Sequence, residues 1–144
     1  MEMGVFEVEI KVRNWQNRFL PVEERGEDII CQALVDSGAV QLSLPAELIE
    51  RLKLMELGQI RVHTADGAEH EYRVMGIAEV EVQGRSTRVQ VIELPRGATP
   101  LLGAIPLEEM DWHISPVEKK LVSNPRSPDR PSLPLCYSGS SAKG

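Results

Sequence analysis

The strongest constraint on this chain is apolar and polar residues alternating with period two, broken at short intervals by turn residues. From Val5 to Val12, Phe6, Val8, Ile10 and Val12 fall on one side of an extended segment, and Glu7, Glu9 and Lys11 on the other. That is a strand with one face buried and one in water. Ile29 to Val35 is apolar on both sides, as a more central strand would be. The stretch from Ile60 to Gly76 has two alternating arms around Asp66-Gly67, a pair that tolerates the positive φ of a tight hairpin. Ile77 to Val82 and Val89 to Leu94 form a second hairpin turning near Gly84. Leu101-Leu102-Gly103 is a very short apolar strand closed by glycine, and Trp112–Ile114 and Lys120–Val122 form a last short pair around Ser115-Pro116. The count is about seven strands with a turn every eight to twelve residues or so, which predicts a mainly β barrel or sandwich.

Helix is sparse. Pro45 opens a segment from Ala46 to about Lys53, with Leu48, Ile49 and Leu52 as an inward stripe. Glu47 lies near its positive end, and Arg51 and Lys53 near its negative end. Leu107 to Met110 has room for one more helical turn. Asn14 to Gly26 reads as a loop. Residues 1–123 are therefore expected to form a single domain, and residues 124–144, rich in Pro and Ser, a flexible C-terminal tail.

A length of 144 residues supports one modest core without metal or disulfide support. The net charge of −6 argues against nucleic acid as a partner, because phosphate binding needs a basic face. Cys31 and Cys136 are far apart; Cys31 reads as a small core residue and Cys136 lies in the polar tail. No disulfide framework is expected, which suits a reducing compartment. The start MEMGVFEVEI has neither a basic nor an apolar leader region, and no apolar run is long enough for a membrane span. The expectation is a soluble cytoplasmic protein with no membrane partner.

The chemistry-bearing stretch is "CQALVDSGAVQLSLP", residues 31–45. A buried strand ends in Asp36, Ser37 and Gly38. By itself Asp-Ser-Gly is a common turn, since Asp and Ser bond nearby backbone groups and Gly permits positive φ. Its setting gives it more weight. It follows an apolar strand and precedes Ala39, an extended piece and a proline-started helix. Further on come the polar hairpin with its Asp-Gly tip, then Leu-Leu-Gly.

In this order, ALVDSGA, HTADGAEHE and LLGAIPLEEM resemble the catalytic loop, flap and loop-threading strand of retropepsin-like aspartic peptidases, especially their small bacterial and archaeal members. The resemblance spans residues 5 to about 122 and implies an all-β acid-protease barrel with one or two short helices. It implies that Asp36 is the catalytic acid/base, supported by Ser37, Gly38 and Ala39. Ser37 would bond across a dimer, and the Gly38 N–H would approach the Asp36 carboxylate. Ala65, Asp66 and Gly67 would tip a flap over substrate, and Leu101, Leu102 and Gly103 would pass under the catalytic loop. The sequence departs from viral relatives at Val40, at Ala104 and in its charged flap.

An aspartic peptidase needs two carboxylates sharing one proton, because like charges so close cannot both ionise. These 144 residues hold one D-[ST]-G. The second Asp36 is therefore expected from another copy of the chain, across a two-fold axis. The expected activity is cleavage of peptide or protein substrates by a homodimer, with no cofactor. The alternatives are an inactive dimer of the same fold that binds peptide or serves assembly, and a β-barrel domain that binds a partner chain without an active cleft.

Other constellations are weaker. His63, His70 and His113 lack the spacing of a metal site, so no metal is expected. Ser37 has no GxSxG frame. The charge clusters Glu23–Asp28 and Glu108–Asp111 are expected to face water, and Trp15 and Trp112 to be packing anchors.

Overall fold

The computed structural model describes residues 6–133. Val5, Cys136 and the rest of the expected tail beyond residue 133 lie outside the described residues. The chain forms β1 (Phe6–Asn14), β2 (Ile29–Val35), β3 (Leu42–Pro45), α1 (Ala46–Leu52), β4 (Met55–His63), β5 (Glu69–Val82), β6 (Arg85–Leu94), β7 (Leu101–Leu102), α2 (Ala104–Glu109), β8 (Trp112–Ser115) and β9 (Lys120–Ser123). Two 3₁₀ turns, Trp15–Phe19 and Val22–Glu24, shape the loop after β1.

Seven strands run in the order β1-β2-β7-β3-β6-β5-β4, and β1 also pairs with β5. That extra pairing closes the sheet into a barrel, leaving β4 outside it and, among the described residues, unpaired on its far side. It is the mainly β barrel expected, with two short α-helices. The core is built by inward positions of every barrel strand but not of β4, among them Ile10, Val12, Leu42, Leu44, Val80, Val91 and Leu102. The alternation in β1 appears as written, with Val8, Ile10 and Val12 buried and Glu7, Glu9 and Lys11 exposed. β2 is central, between β1 and β7, yet Ile30 points outward and is 63% exposed. Cys31 is half-buried against the core.

Three elements differ from expectation. β5 is one strand of 14 residues serving both hairpins, with a register shift between Met75 and Ala78 where separate strands were expected. Its first half pairs with β4 and its second half with β1, while β6 runs alongside. α2 begins at Ala104, three residues before the expected turn. Its first amides are taken by the carbonyls of a distant loop, and Pro106 in that turn has no N–H to place. The chain after Asn124 is held as well: Ser127 is 5% exposed, and both its hydroxyl and its carbonyl are hydrogen-bonded.

Candidate active site

β2 carries Val35 into the core and delivers Asp36 to its tip, where the side chain is half-buried. The peptide chain then turns: Ala39 N–H donates to the Asp36 carbonyl at 3.0 Å. Inside this turn the Gly38 N–H donates to Asp36 Oδ1 at 2.9 Å. A Cβ on residue 38 would sit 3.2 Å from that same oxygen. Glycine thus gives the carboxylate a backbone donor with no side chain in the way. Ser37 and Gly38 are exposed and Ala39 is half-buried. Among the described residues the Ser37 hydroxyl makes no hydrogen bond.

The loop is braced from below. β7 inserts between β2, to which it is parallel, and β3, to which it is antiparallel. Leu34 N–H reaches the Pro100 carbonyl at 2.8 Å and Asp36 N–H the Leu102 carbonyl at 3.1 Å. Leu102 is fully buried and Leu101 half-buried. Gly103 then passes so close to the loop that a Cβ there would lie 2.4 Å from the Gln41 carbonyl oxygen and 2.7 Å from that of Ala39. Its φ is −94°, so the demand for glycine is one of space, not of backbone conformation. Ala104 and Ile105 N–H groups finish the brace, donating to the Ala39 and Val40 carbonyls at 2.9 and 2.8 Å. Val40, fixed by that bond, leaves its side chain 60% exposed.

Ala65, Asp66 and Gly67 occupy the tip of the β4–β5 hairpin, all exposed. Gly67 has φ +88°, as the turn pair predicts. Asp66 organises the tip: its Oδ1 accepts from the Thr64 hydroxyl and from the Ala68 N–H. The Thr64 hydroxyl, ahead of the Ala68 amide, holds the Asp66 carboxyl below the usual carboxylate range. The hairpin has two unlike sides. Gln59, Arg61 and His63 pair with Arg73, Glu71 and Glu69, and Ile60 and Val62 pair with Tyr72 and His70. The first set is charged, with Arg61 and His63 both facing Glu69. His63 and His70 consequently project to opposite sides, and among the described residues no group of three potential ligands could hold a metal ion.

The sequence reading missed one cluster. Asp111, assigned to a charged run facing water, is only 7% exposed, while Glu108 and Glu109 do face water. Its position after α2 turns it inward, with φ +57°. Its Oδ2 accepts from the Ser127 hydroxyl and, at 3.1 Å, from the Ser132 N–H. His113 Nε2 lies 3.3 Å from Oδ1. The Ser127 hydroxyl above all holds this carboxyl low, against the opposing effect of burial. Arg85, 6% exposed, stacks on Trp112 and donates to three carbonyls, of Met110, Asp111 and Ser127. No motif announces either residue; a charged residue next to the Val82–Arg85 turn looks solvated in sequence.

Among the described residues no helix is long and apolar enough to cross a membrane. No curated protein matches the chain. The solution structure of simian foamy virus (mac) protease is similar at a TM-score of 0.48 and 20% identity, over 71% of this chain and 91% of that one. The sequence model of the family described as "gag-polyprotein putative aspartyl protease" matches residues 25–109. That span takes in the DSG loop, the hairpin tip, the threading strand and α2, and it exceeds half of the chain. The chain belongs to this retropepsin-like aspartyl protease family.

Proposed function

We propose that the chain is an aspartic endopeptidase whose active form is a homodimer, with one Asp36 from each copy forming the catalytic dyad. The observation that carries this reading is the Asp36 carboxylate, presented at the end of β2 and held by the Gly38 N–H on a loop braced by β7 and Gly103. A turn that existed only to reverse the chain would need no such support.

The chemistry follows from pairing two such groups. Brought within hydrogen-bond distance, the two carboxyls share one proton, and their ionisations belong to the pair. The ionised member takes a proton from a water whose oxygen attacks the scissile carbonyl carbon. The protonated member gives its proton to the carbonyl oxygen, producing a gem-diol. As the gem-diol collapses, one of its hydroxyls returns a proton to the second carboxyl, the C–N bond breaks, and the leaving nitrogen takes the proton that the first carboxyl had held, so the pair again holds one proton. The Gly38 N–H, already in place at the Asp36 carboxylate, requires little reorganisation during these steps. The β4–β5 hairpin, with its ordered tip, is the segment suited to close over an extended peptide and exclude water. Ser37 is assigned to the contact between the two loops across the dimer axis.

The test is Asp36→Asn. Wild-type protein should cleave an unfolded protein at mildly acidic pH and be inhibited by a pepstatin-like compound. The variant should lose at least about three orders of magnitude in kcat while sedimenting as the same dimer. A wild-type protein that sediments as a strict monomer and yet cleaves, or a variant that cleaves as fast as wild type, would overturn the reading.

A further inference from the structure

α2 is six residues long, a rod of about 9 Å. Both of its ends are tied. At the start, the Ala104 and Ile105 amides bond the Ala39 and Val40 carbonyls of the Asp36 loop. At the finish, the buried guanidinium of Arg85 caps the Met110 and Asp111 carbonyls at 3.1 and 2.8 Å, where the helix presents its unsatisfied acceptors. The same guanidinium reaches the Ser127 carbonyl at 2.7 Å, and the Asp111 carboxylate takes the Ser127 hydroxyl and the Ser132 amide. Trp112, on which Arg85 stacks at 4.5 Å, is itself pinned to the Val82 carbonyl. The segment from Asn124 to Leu133 is therefore a strap fastened to the far end of the rod that supports the catalytic loop.

We propose that Asp111 is a positioning residue: with Ser127 it clamps the C-terminal strap onto α2, and through α2 it fixes the Ala39–Val40 side of the Asp36 loop. A buried carboxylate with several donors is costly to leave unpaired, so the strap cannot lift without disturbing the end of α2. With its end released, α2 keeps its two amide bonds to the loop, its buried Pro106 and Leu107, and an exposed bond from the Thr87 hydroxyl to the Glu109 carboxylate. The consequence for catalysis rests on the reading of Asp36 as catalytic; the consequence for the loop's order does not.

Ser127→Asp tests both, because it sets a second carboxylate against Asp111 and removes the hydroxyl donor. In the full chain, hydrogen exchange at the Ala104 and Ile105 amides should quicken about tenfold, with the β5–β6 amides unchanged. For the peptidase, kcat should fall about tenfold with KM within about twofold, and Ser127→Thr, which keeps the hydroxyl, should restore it. If Ser127→Asp also accelerates exchange in β5–β6, the domain as a whole has been loosened. Ser127→Ala then decides, with about threefold faster exchange at Ala104 and Ile105 alone. Unchanged exchange at these two amides in Ser127→Ala and Ser127→Asp overturns the clamp, whether or not the protein cleaves peptides. If wild type cleaves, Asp36→Asn does not, and Ser127→Asp keeps its kcat, the clamp is overturned and the peptidase reading stands.

Discussion

Asp36 sits where a strand meets a turn, and most of what makes it useful is done by two residues that have no side chain. Gly38 brings an amide to the carboxylate, and Gly103 lets the threading strand pass under the loop against three backbone atoms. Those atoms cannot step aside as a flexible side chain would. Gly103→Ala should therefore cost about 3 kcal/mol, at the upper end of what overpacking does, read as a lower midpoint in urea unfolding. Gly84, whose φ is +88° but which faces open space, should give a milder loss as Gly84→Ala, from backbone strain alone. Asp66 carries a pH dependence. Its folded carboxyl titrates below the ordinary value because the Thr64 hydroxyl and Ala68 amide favour the charged form. The order it gives to the tip is thus complete above the unfolded carboxylate pKa and is lost as pH falls through the lowered one. Thr64→Val should bring that loss to higher pH, as seen in the pH titration of the Gly67 and Ala68 amide resonances.

Among the elements, β5 shows what pattern alone can and cannot reveal. Its alternation was readable on both sides of Gly76, and so were the turns at Asp66-Gly67 and Gly84. That the two stretches form one strand was not, because continuity depends on β6 pairing on both sides of the break and on β1 pairing beyond it, contacts that no local pattern encodes. α2 teaches the same lesson: its first turn is completed by carbonyls of residues 39 and 40. The Asp36 loop, the hairpin tip and the threading strand were legible because each is a local chemical signature. Asp111 and Arg85 were hidden because their burial is created by a strap that composition presents as loose. β4 is the element with least to hold it. Among the described residues it pairs only with β5, and it carries a register shift between Glu56 and Gly58 and exposes Met55, Leu57 and Ile60. Its amides from Gln59 to His63 should exchange at least about tenfold faster than those of β6 from Val89 to Ile92, measured by native-state hydrogen exchange.

For the molecule as a whole, the barrel is self-sufficient as a fold, while the proposed chemistry is not. A core drawn from β1, β2, β3, β5, β6 and β7 closes within one chain. A dyad requires two chains, so specific activity should fall with dilution once the concentration drops below the dimer dissociation constant, and sedimentation at the same concentrations should show the matching loss of dimer. Folding, followed by circular dichroism across that range, should be far less sensitive. The single carboxylate at the tip of β2 has one more result. In the proposed homodimer each chain supplies one half of the catalytic pair, so a defective copy should spoil any sound one it meets. When Asp36→Asn chains are mixed and re-equilibrated with wild type, surviving turnover should follow the square of the wild-type fraction: half the chains altered, a quarter of the rate. A chain built this way can be silenced by its own mutant.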